Sequence, residues 1–104
     1  MVQSITAQQA RALIAGGKLD VVDVREPHEW SNGHLEGSRL VPLKQLRASP
    51  KDLLQRDGVV FVCAAGVRSQ AAAKLAIESG LRQVYNLSGG TQGWVRAGLP
   101  LAHD

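Results

Sequence analysis

The stretch Val59-Val60-Phe61-Val62-Cys63 constrains this chain more than any other. An unbroken apolar run opened by Asp57-Gly58 offers no polar face to water, so it predicts a strand covered on both sides. Within a few residues the pattern changes to Ser69-Gln70-Ala71-Ala72-Ala73-Lys74-Leu75-Ala76, an alanine-rich helix-forming segment. A buried strand feeding a helix is the unit from which parallel α/β sheets are assembled. Between the two lies a short loop, and the chain's one cysteine, Cys63, stands first in it.

Such a loop does specific things to a thiol. Free cysteine has a pKa of about 8.5, and a helix N-terminus or a neighbouring arginine favours its anion. If the helix starts near Ser69, the backbone between it and Cys63 must curl, turning several N–H groups toward the sulfur. Gly66 suits the sharp part of that curl, because glycine tolerates positive φ and lets the backbone approach an anion. Arg68 adds a permanently charged fork able to hold an oxyanion or to brace the loop. The competing expectation is a cysteine that serves as a small core residue.

The flanking segments fill out an α/β pattern. Thr6 with Gln9 forms a capping-box signature, and Ala10, Leu13 and Ile14 then mark a helix that Gly16-Gly17 ends. Leu19 to Val24 reads as a buried strand with Asp23 near its carboxyl end, where open α/β sheets place their ligands. Asp23 and Arg25 are expected to support the loop as an ion pair or turn cap rather than to perform chemistry. Glu26 to Trp30 reads as a short helix broken by Asn32-Gly33, with Pro27 in its first turn. Trp30 is expected as a core or groove-wall residue. His28 and His34 lack partners at metal-ligand spacing, and His34 is expected to bond within the Gly33 to Gly37 turn. His103 falls in a polar tail expected to fray.

Leu40-Val41-Pro42-Leu43 predicts a short edge strand and its exit. Leu43, Leu46, Leu53 and Leu54 then supply one or two short helices, with Ser49-Pro50 opening the second. After the loop, Ala71, Ala72, Leu75, Ala76 and Ile77 are expected on the packed side of the main helix, and Gly80 at its stop. Val84-Tyr85-Asn86-Leu87 is the last strand. Ser88-Gly89-Gly90-Thr91 turns into a final helix, capped by Thr91 and anchored by Trp94. The glycine pair lacks the Lys-Ser/Thr of a phosphate-binding loop. The fold class expected is α/β, with a mainly parallel central sheet flanked by helices on both faces, in one domain over residues 1–104.

Composition removes several functions. A net charge of +3 is spread without a basic run or interleaved aromatics, so nucleic-acid binding has little support and is not expected. A lone cysteine allows no disulfide within the chain, and any sulfur relay must use a second molecule. No stretch is long enough to span a membrane, and the first residues lack an export-signal pattern, so the expected compartment is the cytoplasm. Neither a metal nor an organic cofactor is expected.

Taken together, Cys63-Ala64-Ala65-Gly66-Val67-Arg68-Ser69, Asp23-Val24-Arg25-Glu26, Gly33-His34-Leu35-Glu36-Gly37-Ser38 and Asn86 through Trp94, followed by Ala97-Gly98-Leu99-Pro100, resemble the rhodanese-like sulfurtransferases. These matches occur in the family's order and span nearly the whole chain. The resemblance implies that Cys63 takes a sulfane sulfur from thiosulfate or a persulfide, carries it as its own persulfide, and passes it to a thiol or cyanide. Ala64, Ala65, Gly66, Val67 and Arg68 would bind substrate, with Asp23 and Arg25 in support. The partners implied are a small sulfur donor and acceptor, or a protein in a sulfur relay. Four residues separate Cys63 from Arg68, one fewer than in the related cysteine phosphatases, and a shorter cradle favours sulfur over phosphoryl transfer. Ala64, Ala65 and Val67 are small and apolar where many relatives carry polar or basic groups, leaving Arg68 the loop's one cation. A phosphatase or arsenate-type enzyme and a non-catalytic interaction module are the alternatives.

Overall fold

Val59–Val62, designated β4 below, runs through the middle of the molecule, and all four of its residues are buried. The computed structural model describes residues 1–103. In chain order the elements are β1 (Val2–Ile5), α1 (Ala7–Ala15), β2 (Asp20–Asp23), α2 (Pro27–Trp30), β3 (Arg39–Leu40) and α3 (Leu43–Ala48). They continue with α4 (Pro50–Leu53), β4, α5 (Arg68–Glu78), β5 (Val84–Leu87) and α6 (Gly90–Arg96). The sheet order is β1-β5-β4-β2-β3, and every pairing is parallel.

A parallel sheet must be covered on both faces, and alternate residues of β4 show how this is done. Val59 and Phe61 face one apolar cluster with Leu46, Ala72, Ala73 and Ala76. Val60 and Val62 face the other, with Ala10, Leu35, Leu87 and Trp94. Each fully buried Val, Leu or Phe side chain contributes about 1.5–3 kcal/mol, so the sheet is secured from both sides. Cys63 belongs to the first cluster, at the point where the strand runs out.

The local signals operate largely as expected. Thr6 Oγ1 accepts from the Gln9 amide and Gln9 Oε1 accepts from the Thr6 amide, which closes the capping box of α1. At the far end of the sheet, Asp57 accepts from the amides of Gly58, Arg82 and Gln83, joining the entries to β4 and β5. These bonds hold its carboxyl below the usual range.

One element was not anticipated, and three expectations are revised. The amino-terminal segment forms an edge strand, β1, paired with β5 from Val2↔Val84 to Ile5↔Leu87. The main helix buries Ser69 and Ala73 with Ala72 and Ala76, while Ala71 and Leu75 are half-buried. Helix α6 begins one residue before Thr91, after a left-handed Gly89, so Thr91 lies inside the helix and does not cap it. His34 reaches outside its turn: its Nδ1 lies 3.1 Å from the Trp30 carbonyl oxygen, and its ring stacks on Trp30 at 3.6 Å. Its backbone bridges to Ala102, so the tail is tied down as far as that residue.

Candidate active site

At the carboxyl end of β4 the backbone leaves the sheet and Cys63 remains beneath the loop, with a relative exposure of 1%. The Gly66 amide donates to Cys63 Sγ at 3.1 Å, and Ser69 Oγ lies 3.3 Å from the same sulfur. Gly66 has φ +95°, which turns its N–H inward, and a side chain there would press on the Gly89 amide. Burial opposes ionisation of Cys63. The Ser69 hydroxyl and the amides of Ser69, Gly66 and Ala65 outweigh it, and the thiol is held below its ordinary pKa.

Two further layers secure this inner wall. Ser69 Oγ donates to Asn86 Oδ1 at 2.5 Å, and Asn86 Nδ2 donates in turn to Gln70 Oε1 at 2.7 Å and to the Gly66 carbonyl at 3.3 Å. A serine hydroxyl has one proton, so Ser69 can donate to a Cys63 thiolate only by turning that proton away from Asn86. The second layer is the start of α6. Thr91 N–H donates to the Cys63 carbonyl at 2.8 Å and Gln92 N–H to the Ala64 carbonyl at 3.0 Å. Such an approach requires Gly90: a Cβ there would lie 2.5 Å from the Ala64 carbonyl, inside any tolerable contact.

The outer rim has a different character. Ala65 is exposed and Val67 is 77% exposed. Arg68 opens α5 and turns to α2, where its Nη1 and Nη2 donate to Glu29 Oε1 and Oε2 at 2.7 and 2.9 Å. Glu29 Oε1 also accepts from the Glu26 amide. The Arg68 bond, opposed by burial and aided by the Glu26 amide, lowers the Glu29 pKa to about 2. Arg68, bonded to that carboxylate, is correspondingly raised.

Asp23 and Arg25 form the buried ion pair anticipated for them. Arg25 Nη2 donates to Asp23 Oδ2 at 2.8 Å and also to the Gly33 carbonyl, while Nη1 reaches the Glu29 carbonyl at 3.4 Å. The pair therefore joins β2 to α2 and sets the position from which Glu29 meets Arg68. The structure thus brings Cys63, Ala64, Ala65, Gly66, Val67 and Arg68 into one loop, with Asp23 and Arg25 in the framework behind it. Glu29, Asn86 and Gly90 were not singled out for roles at the site. Gly90 had a usable signal, a glycine pair after a buried strand, whereas Glu29 stands 39 residues from its partner.

A cavity of about 660 Å³ lies elsewhere, between α1 and the carboxyl-terminal segment. Leu35, Trp94, Leu99 and Leu101 line it, and Cys63 does not reach it. What the loop can do chemically follows from its contents: a buried thiol held toward its anion, backbone amides directed at it, and the exposed apolar side chains Ala65 and Val67 outside them.

Comparison with known proteins points the same way. A family model described as a rhodanese-like domain matches residues 6–97. The thiosulfate sulfurtransferase GlpE of Stutzerimonas stutzeri is 34% identical over 93 residues, covering 86% of this chain and 82% of that protein. A rhodanese-related protein from Thermoplasma volcanium superposes with a TM-score of 0.88 at 32% identity, covering 98% of this chain and 99% of that one. A Rhodopseudomonas palustris structure described as a possible tyrosine phosphatase gives a TM-score of 0.86 at 35% identity, covering 97% of this chain and 85% of that one.

Proposed function

Because the chain belongs to the rhodanese-like domain family, we propose that it is a sulfurtransferase working through a persulfide on Cys63. The observation that carries this reading is the inner wall of the loop, where a buried thiol is held below its ordinary pKa by a hydroxyl and by amides. In the first step the Cys63 thiolate attacks the outer sulfur of thiosulfate or of a persulfide. The S–S bond of the donor breaks, and its electron pair leaves with sulfite or a thiolate. The loop amides from Ala64 to Arg68 hold the charge that now rests on the bound sulfur. In the second step a thiol or cyanide attacks that outer sulfur and Cys63 leaves as thiolate. Covalent transfer of this kind gives ping-pong kinetics.

With one cysteine in the chain, the acceptor must be a second molecule, either a small thiol or a cysteine of a relay protein. The printed description of the Rhodopseudomonas palustris neighbour keeps a phosphatase reading in view. The four-residue spacing between Cys63 and Arg68 weighs against it, since the shorter loop makes a smaller cradle.

Intact mass spectrometry after incubation with thiosulfate or cysteine persulfide tests the proposal. A gain of about 32 Da, removed by a thiol and absent from Cys63→Ser, is expected for a persulfide intermediate. Absence of loading from either donor, together with turnover of a phosphoester, would replace sulfur transfer by the phosphatase reading.

A further inference from the structure

The loop's one cation is already engaged. Arg68 presents two N–H groups to the two oxygens of Glu29, an arrangement that matches guanidinium to carboxylate at both points. Glu29 is itself held by the Glu26 amide on its side chain and by Arg25 on its backbone carbonyl, so α2 presents the carboxylate from a braced position. The pair carries no net charge. Around it, the side chains Ala64, Ala65 and Val67 supply neither charge nor side-chain hydrogen bonds, and Val67 stands out into solvent.

We infer that Glu29 selects the sulfur donor: by occupying Arg68 it withholds the loop's one cation from dianionic thiosulfate and leaves a rim suited to the persulfide of an organic thiol. The inference rests on the sulfurtransferase reading above and narrows it to a donor class. A thiosulfate dianion brings its sulfonate to the mouth of the site, where a free guanidinium would be its natural counter-charge. An organic persulfide, R–S–SH, brings carbon to the same place. There it meets Ala65 and Val67 and loses little hydration. The exchange is balanced: Cys63–S⁻ attacks the outer sulfur of R–S–SH, Cys63–S–SH forms, and R–S⁻ departs with the electron pair of the broken S–S bond. No oxidant or reductant is consumed.

The test compares rates of sulfur loading onto Cys63, as kcat/KM, from thiosulfate and from cysteine persulfide. The native protein is expected to favour the persulfide. Glu29→Gln removes the carboxylate charge and keeps the side chain's shape, and the thiosulfate-to-persulfide ratio is expected to rise by about fivefold, the scale of one partly exposed charge interaction. A purely structural role for Glu29 would slow both donors alike and leave the ratio where it was. Val67→Lys places a new cation on the exposed rim without touching the ion pair, and should shift the ratio in the same direction. Added salt should reduce the gain in both variants, since it screens exposed charge.

Equal loading from both donors in the native protein, or an unchanged ratio in both variants, overturns the donor assignment and leaves sulfur transfer standing. No loading from either donor overturns sulfur transfer and the assignment with it. A persulfidated cysteine peptide run in parallel locates the source. Faster loading from the peptide than from cysteine persulfide supports a protein donor, and the reverse order supports a small thiol.

Discussion

The two sides of the Cys63 to Ser69 loop are built on opposite principles. The inner wall is buried and over-determined: Gly66, Ser69, Asn86, Gly90 and Thr91 all bear on Cys63 or on the backbone beside it. The outer rim is open, and one partly exposed ion pair, Arg68 with Glu29, holds it. A nucleophile must be positioned and ionised before any substrate arrives, which demands rigid and desolvated donors. Recognition of a donor molecule requires access to solvent. On the proposed mechanism, the wall governs whether Cys63 reacts and the rim governs with what.

The largest effect should come from breaking the wall at its tightest contact. Gly90 has φ +59°, and a Cβ there would overlap the carbonyls of Cys63 and Ala64. Gly90→Ala is expected to cost at least about 2 kcal/mol from the left-handed backbone and the forced displacement together. Most of the loading activity should go with it. Thermal melting and the mass-shift assay check this, and a stable, fully active variant would show that α6 does not hold the loop.

A smaller effect is expected when one donor is removed and the backbone is left alone. Ser69→Ala deletes the hydroxyl beside the sulfur, so the pH midpoint of Cys63 alkylation should move upward. A hydrogen bond to a charged group is worth about 1.5 kcal/mol, so reactivity near neutral pH should fall by up to roughly tenfold. Iodoacetamide rates across pH measure it. An unmoved midpoint would assign the thiolate to the amides alone.

The smallest effect on stability belongs to the rim. Arg68→Ala should lower stability near neutral pH by no more than about 1 kcal/mol, because the pair is partly exposed and screened. The sign of its pH dependence follows from Glu29, whose pKa falls from an ordinary 4.5 to about 2 in the fold. A carboxyl depressed in this way stabilises the fold above its unfolded value, and that contribution is lost as pH falls through the folded one. Melting temperatures of the native and Arg68→Ala proteins should therefore differ above pH 4.5 and converge toward pH 2. A constant difference would mean that Arg68 stabilises the loop through packing instead of charge.

Legibility in the sequence followed the range of the interaction. The strand β4 can be read directly, because residues buried on both faces must be continuously apolar. The capping box of α1 and the inward turn at Gly66 are equally local. By contrast, β1 has the burial order of an edge, with exposed Gln3 and Ser4 in its centre, and no period-2 apolar pattern marks it. Its strand character comes from hydrogen bonds to β5, more than eighty residues along the chain. Thr91 looked like a cap by its residue type, yet Gly89 takes the turn because its left-handed backbone brings α6 against the loop.

By itself the sequence determined a parallel α/β sheet with a cysteine at the carboxyl end of its central strand, a curled loop around that cysteine, and the family whose motifs these are. Both the apolar periodicity and the glycine requirement arise from neighbours within a few residues, so they are written locally. Tertiary structure alone decided that Asn86 stands behind Ser69, that Gly90 presses on the loop, and that Glu29 occupies Arg68. Those partners come from separate elements, β5, α6 and α2, which only the sheet order and the packing of its crossovers bring together. A charged side chain on a half-buried helix face carries no mark of which distant opposite charge it will meet, because that choice is made by the geometry of packing.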